Sequence, residues 1–184
     1  MRHIILRTFT GPFALMQLDD GSLRTGWVDE QLEEALAKSK ANRRLLPDLG
    51  DRLTAYFAGE EVDFSEVPLP GGAAFQRRCW QACRRIPRGV TITYAQLAQR
   101  AGSANAFRAA GQSMRHNPLP VIVPCHRVVG SSGTLHGFGG TVDADSRPLA
   151  IKRSLLEMEG ALADEVVLPE RSRPRRRTRA LVTA

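Results

Sequence analysis

The sequence predicts an α/β (α+β) protein in which a small N-terminal α/β domain is followed by a mostly helical domain. Three observations predict it. Short apolar runs broken by turn signals fill the first thirty residues. From Ala74 onward the apolar positions take helical spacing, with cap and stop signals at the ends. Between these regions, residues 60–72 contain Val67-Pro68-Leu69-Pro70-Gly71-Gly72, have no periodicity and read as a connection. The chain divides accordingly into 1–68, a linker at 69–72, a second domain at 73–160, and a tail at 161–184.

In the first domain, Ile4-Ile5-Leu6 and Phe13-Ala14-Leu15-Met16 flank a Thr10-Gly11-Pro12 turn. Asp19-Asp20-Gly21 marks a second turn and residues 23–28 a third strand, so an antiparallel meander is predicted. Helices follow over 29–39 and 49–59, the latter with Leu53, Tyr56 and Phe57 on one face. Nothing in residues 1–68 suggests chemistry, and His3 has no cysteine or histidine nearby to make a metal site.

The second domain opens with a helix over 74–85 that sets Phe75, Cys79, Trp80 and Cys83 at core spacing, and Pro87-Arg88-Gly89 ends it. Thr93-Tyr94-Ala95-Gln96 fits a capping box, because the Thr93 hydroxyl and the Gln96 side chain can satisfy the first free N–H groups. That helix runs to Arg100, Ala101-Gly102-Ser103 turns the chain, and a second helix covers 104–115 before Asn117-Pro118. Helix, glycine-containing turn and helix make a helix-turn-helix pattern. Arg108 and Arg115 on its second helix, with Ser103 and Asn105 at its start, suit contact with phosphates and grooves. Val121-Ile122-Val123 then reads as a buried strand stopped by Pro124.

Bulk properties narrow the class. The 184 residues are 42% hydrophobic and 24% charged, ordinary for a globular protein. Three cysteines at no paired spacing argue against a disulfide framework and for a reducing compartment. No segment resembles a signal peptide or a membrane span, which predicts a cytoplasmic protein. No oligomer seam is evident, so a monomer is expected. The net charge of +7 and the pI of about 10.1 favour an anionic partner such as nucleic acid. Part of that charge lies in the tail, where six arginines oppose Asp164, Glu165 and Glu170. The tail is predicted to be disordered, either holding DNA phosphates non-specifically or simply solvated.

The chemistry is concentrated in Pro124-Cys125-His126-Arg127-Val128. Cysteine attacks as thiolate, and a neighbouring imidazole makes thiolate accessible near neutral pH. Adjacent residues on a strand point to opposite faces, so Cys125 and His126 can cooperate only at a bend or through a bridging water. Taken alone, the pair also fits a structural cysteine beside a surface histidine, or a cysteine hydrolase.

The ordered motif set resembles the O6-alkylguanine-DNA alkyltransferases (methylated-DNA–protein-cysteine methyltransferases). It comprises Phe75…Trp80, Ile86-Pro87-x-Gly89, Thr93-Tyr94, Arg108-Ala109-x-Gly111 and Asn117-Pro118-x-Pro120. Pro124-Cys125-His126-Arg127-Val128, Gly133, Gly137-Phe138 and Lys152-x-x-Leu155-Leu156-x-x-Glu159 complete it. The match covers 73–160. Tyr56-Phe57-x-Gly59 and Val67-Pro68-Leu69 resemble the family's ribonuclease-H-like N-terminal domain more loosely.

The resemblance implies a winged-helix-like DNA-binding domain that takes a flipped O6-alkylguanine, and possibly O4-alkylthymine, from double-stranded DNA through the minor groove. Cys125 would be the nucleophile and alkyl acceptor, consumed in one reaction without any cofactor or metal. His126 would be a water-mediated base, oriented by Glu159, and Tyr94 would donate toward guanine N3. Arg108 would enter the stack in place of the flipped nucleotide, with Ala95, Ser103 and Ser131 as further DNA contacts. Asn117 would tie the helix-turn-helix to the active-site loop. The backbones of Cys125, Val128 and Gly139 would read the guanine edge, and Phe138 would wall the pocket.

Two features depart from the family pattern. Phe138 stands where tyrosine is usual, and residues 141–151 are longer than the family's connection, predicting a bulge to solvent or a rim on the alkyl pocket. Cys125 argues against the family's non-repairing damage sensors, which lack this cysteine. The absence of a cysteine-rich segment argues against its metal-containing transcription regulators.

Overall fold

The computed structural model describes residues 1–131, 135 and 145–162. The expected tail beyond Leu162 and most of the segment carrying Phe138 and Gly139 lie outside the described residues.

The chain begins with the expected meander. Strand β1 (Arg2–Thr8) turns through Gly11, at φ 105°, into β2 (Gly11–Gln17), which pairs antiparallel with β3 (Leu23–Trp27). Helix α1 (Glu30–Ala37) starts where the Asp29 carboxylate accepts the Leu32 N–H at 2.8 Å. A two-residue strand, β4 (Lys40–Ala41), then pairs parallel with β1 and gives the order β3-β2-β1-β4. So short a strand has no period to read from sequence. Helix α2 (Pro47–Phe57) begins two residues before the predicted start, since Pro47 fits the first helical turn.

Four consecutive residues of β2, Phe13 to Met16, are buried because both faces of the sheet are covered. Ala14 and Met16 pack with Leu36 of α1, whereas Phe13 and Leu15 join Leu49, Leu53, Tyr56 and Phe57 of α2. This second cluster does not stop at the linker. It continues through Trp80, Ile86, Leu97, Val123, Leu155 and Leu156, so both halves of the chain share one core.

Three helices build the middle of the chain: α3 (Ala74–Arg84), α4 (Tyr94–Arg100) and α5 (Phe107–Arg115). Cys79, Trp80 and Cys83 of α3 are buried as the spacing predicts, and all three cysteines are free. The capping box forms, with Thr93 Oγ1 accepting Gln96 N–H and Gln96 Oε1 accepting Thr93 N–H. Helix α5 begins three residues later than predicted, because Ala106 N–H bonds Ser103 O at 3.0 Å and holds the intervening residues in a turn.

The predicted strand at Val121-Ile122-Val123 is not one. These residues are buried, but Val121 has φ 75° and the segment folds back on itself, with Val123 N–H bonding Leu119 O. Two prolines and one amide explain this. Pro118 and Pro120 have no N–H for a ladder, and Asn117 takes the freed groups, accepting Leu119 N–H and donating to Val123 O. A 3₁₀ turn (Cys125–Arg127) follows, then β6 (Val128–Val129), parallel to β5 (Ile92–Thr93). Helix α6 (Arg147–Met158) closes the described fold and buries Leu149, Ile151, Lys152, Leu155 and Leu156. Among the described residues, no helix is long and apolar enough to cross a membrane.

Strand β3 braces the irregular segment, since Thr25 N–H bonds Pro118 O at 3.0 Å and Thr25 Oγ1 donates to Pro120 O at 2.8 Å. A Thr25→Val substitution keeps the shape and strands the Pro120 carbonyl. It is expected to lower unfolding free energy by about 1 kcal/mol, read as a lower urea midpoint at unchanged slope.

Candidate active site

The 3₁₀ turn at the end of the irregular segment turns Cys125 and His126 inward together, so both are buried although adjacent in sequence. Helix α6 delivers Glu159 to the same place from its C-terminal end. His126 Nε2 lies 3.0 Å from Glu159 Oε1, and His126 Nδ1 makes no hydrogen bond to any described residue.

Glu159 has further donors. Arg127 binds it two-pronged, with Nη2 on Oε1 at 2.8 Å and Nε on Oε2 at 2.9 Å, while its Nη1 holds Ile86 O. Tyr56 of α2 donates its hydroxyl to Oε1 at 2.7 Å, and the Tyr56 hydroxyl oxygen lies 3.3 Å from His126 Nε2. Burial opposes ionisation of Glu159, but the bonds from His126 and Arg127 outweigh it and hold the carboxyl well below the usual range. An ionised carboxylate only accepts. Nε2 therefore carries the imidazole hydrogen, and Nδ1 is left as the acceptor.

Burial pushes the His126 pKa down against the pull of Glu159, so the ring is neutral at pH 7. Burial likewise raises the Cys125 thiol above its ordinary value, opposed by Asn117, by the Lys152 charge and by nearby backbone N–H groups. The resting pair is thus thiol and neutral imidazole rather than an ion pair. Asn117 Nδ2 donates to Cys125 Sγ at 3.1 Å as well as to Val123 O at 2.8 Å, so one amide fixes both the sulfur and the loop behind it. Fully buried Lys152 donates from Nζ to Val128 O at 2.6 Å, and its pKa is pushed down to about 8 by burial against the pull of Cys125 and Cys83. Tyr94, half-buried at the first position of α4, has its phenol raised by burial and by the Cys125 and Cys83 thiols.

Of the residues singled out in the sequence, Cys125, His126, Glu159, Asn117, Val128 and Tyr94 gather here. Ala95 and Arg108 are exposed on α4 and α5, Ser103 is half-buried between those helices, and Ser131 is exposed beyond β6. Phe138 and Gly139 lie outside the described residues. Tyr56, Arg127 and Lys152 had no assigned role in the sequence pattern. For Tyr56 a signal existed, since a phenol on an apolar helix face needs a buried partner. Residues 1–68, which the sequence pattern leaves without chemistry, therefore supply one donor to the buried carboxylate.

Residues 74–161 match the family model described as the 6-O-methylguanine DNA methyltransferase, DNA binding domain. The methylated-DNA–protein-cysteine methyltransferase of Mycolicibacterium paratuberculosis is 39% identical over 151 residues, covering 80% of this chain and 91% of its own. The protein of the same name from Methanosarcina acetivorans is 39% identical over 162 residues, covering 88% and 99%. The crystal structure of Mycobacterium tuberculosis OGT in complex with DNA superposes with a TM-score of 0.72 at 34% identity, covering 88% of this chain and 94% of that one.

A Tyr56→Phe substitution removes one neutralising donor from Glu159 without opening a large cavity. It is expected to cost about 1.5–3 kcal/mol of stability, the range for a hydrogen bond to a charged group, in urea unfolding. It should also move the His126 titration to higher pH in histidine NMR, because the carboxylate charge then bears harder on the ring.

Proposed function

Since the chain belongs to the methylated-DNA–protein-cysteine methyltransferase family, we propose that it repairs DNA by moving an alkyl group from guanine O6 to Cys125. The observation that carries this reading is the buried line Glu159–His126 beside Cys125, with Nδ1 of the ring left as an acceptor.

In the proposed reaction the Cys125 proton passes through a bridging water to His126 Nδ1, while Glu159 stabilises the imidazolium that forms. The thiolate attacks the alkyl carbon, the carbon–O6 bond breaks, and its electron pair returns to the guanine. Tyr94 donates toward N3, making guanine a better leaving group. The Lys152 charge, held near the sulfur by Val128 O, favours thiolate as it develops. The products are guanine and an S-alkyl cysteine. A thioether has no good leaving group, so each chain reacts once and needs neither cofactor nor metal.

A stacked guanine shields its O6 substituent, so the base must leave the duplex. In this reading α4 and α5 act as a helix-turn-helix in a winged-helix-like domain that approaches the minor groove. Arg108 fills the gap left by the base, and Ala95, Ser103 and Ser131 touch the DNA. Asn117 links that unit to the nucleophile, Cys125, Val128 and Gly139 read the guanine edge through their backbones, and Phe138 walls the pocket. Residues 1–68 form the ribonuclease-H-like support. The charge distribution supports an anionic partner, since no aspartate or glutamate occurs between Glu66 and Asp143.

Incubation with duplex DNA carrying one O6-methylguanine should add a single methyl group to the Cys125 peptide by mass spectrometry, saturating at one equivalent. Cys125→Ser should take none. Continued turnover without a Cys125 adduct would instead favour a cysteine hydrolase.

The pH dependence follows from His126. Its pKa is depressed from the ordinary 6.5, so the ring stays a base until the solution is more acidic than that. The transfer rate constant should fall on acidification, with a midpoint below 6.5. Glu159→Gln should lower it by about 100-fold. Stability has the same sign: His126 and Glu159 both have depressed pKa values, so the stability they contribute is whole above 6.5 and 4.5, respectively, and drains as pH falls below them.

A further inference from the structure

Among the described residues, one large apolar side chain on α5 is left about half exposed. Helix α5 packs into the core through Ala110, Ser113 and Met114. Phe107 precedes Ala110 by three positions and Met114 by seven, a spacing that belongs to the buried stripe. It nevertheless sits at the first position of the helix and remains 48% exposed. The Arg108 guanidinium carbon lies 5.6 Å from the centre of its ring, a cation–π contact that ties two exposed side chains into one unit. The two helices are cationic or neutral on their exposed positions: Arg100, Arg115 and His116 are exposed, and α4 and α5 contain no acidic residue.

We propose that Phe107 is a DNA-contacting wedge that works as a pair with Arg108, its ring entering against the base step next to the extruded alkylguanine. This inference rests on the DNA-repair reading and deepens it by assigning the apolar part of the contact. Extruding a base removes a stacking partner from its neighbours, and an aromatic ring recovers part of that loss without regard to sequence. A lone arginine supplies charge and hydrogen bonds, but its long side chain loses rotamer freedom on ordering. The Phe107 ring orders Arg108 before DNA arrives, and the same ring is removed from water when the complex forms.

Phe107→Ala separates this role from the chemistry, measured against duplex O6-methylguanine and against free O6-benzylguanine base. The base enters the alkyl pocket without any duplex to pry open. The expected result is a loss of roughly 10-fold in transfer from the duplex, with the free-base rate unchanged and the salt dependence of DNA binding unchanged, because a neutral ring releases no counterions. Phe107→Tyr should restore most of the duplex rate. The proposal is overturned if Phe107→Ala takes the alkyl group from duplex as fast as the parent, or if the free-base rate drops equally. If the unaltered protein accepts alkyl from free base but never from duplex DNA, the repair reading itself fails and the wedge with it.

Discussion

One buried carboxylate organises the centre of this protein. Glu159 accepts from His126, Arg127 and Tyr56, which come from the 3₁₀ turn and from the N-terminal half of the chain. A carboxylate so placed is costly unless its lone pairs are filled. Here they are filled by three partners, and the charge in turn sets the hydrogen on His126 Nε2 and leaves Nδ1 an acceptor with no partner among the described residues. Fold and chemistry meet in this interaction: α2, the 3₁₀ turn and the end of α6 must all be in place for the ring to have the correct tautomer. The shared core that runs from Phe13 to Leu156 keeps them there.

The segment between Asn117 and Val129 shows why regular structure would not serve. A strand would send Cys125 and His126 to opposite faces. Pro118 and Pro120 prevent a ladder, Val121 adopts a left-handed backbone, and Asn117 satisfies the polar groups that a neighbouring strand would otherwise take. The same amide holds the sulfur. The strained valine and the folded-back loop thus lead into a turn in which both Cys125 and His126 are buried.

Legibility from sequence followed how local each cause was. The meander, the Thr93–Gln96 capping box and the core cysteines of α3 depend on neighbours in the chain, and their spacing carried them. Val121-Ile122-Val123 misled because its buried apolar run satisfies its backbone through Asn117 instead of a partner strand. Strand β4 and the β5–β6 pair are two residues per strand and have no period. At the site, Cys125, His126 and Glu159 were legible through a motif, whereas Tyr56 stands 103 positions from the carboxylate it binds. Phe107 followed core spacing and yet lies exposed at the helix end, a difference that only the packing of α5 reveals.

The role of the Glu159–His126 pair turns on the hydrogen placement in the His126 ring. Nitrogen-15 NMR of histidine-labelled protein at pH 7 reads it, because protonated and bare ring nitrogens resonate far apart. The expected result is a neutral His126 with hydrogen on Nε2 and a bare Nδ1. A ring with its hydrogen on Nδ1, or an imidazolium at pH 7, would contradict it.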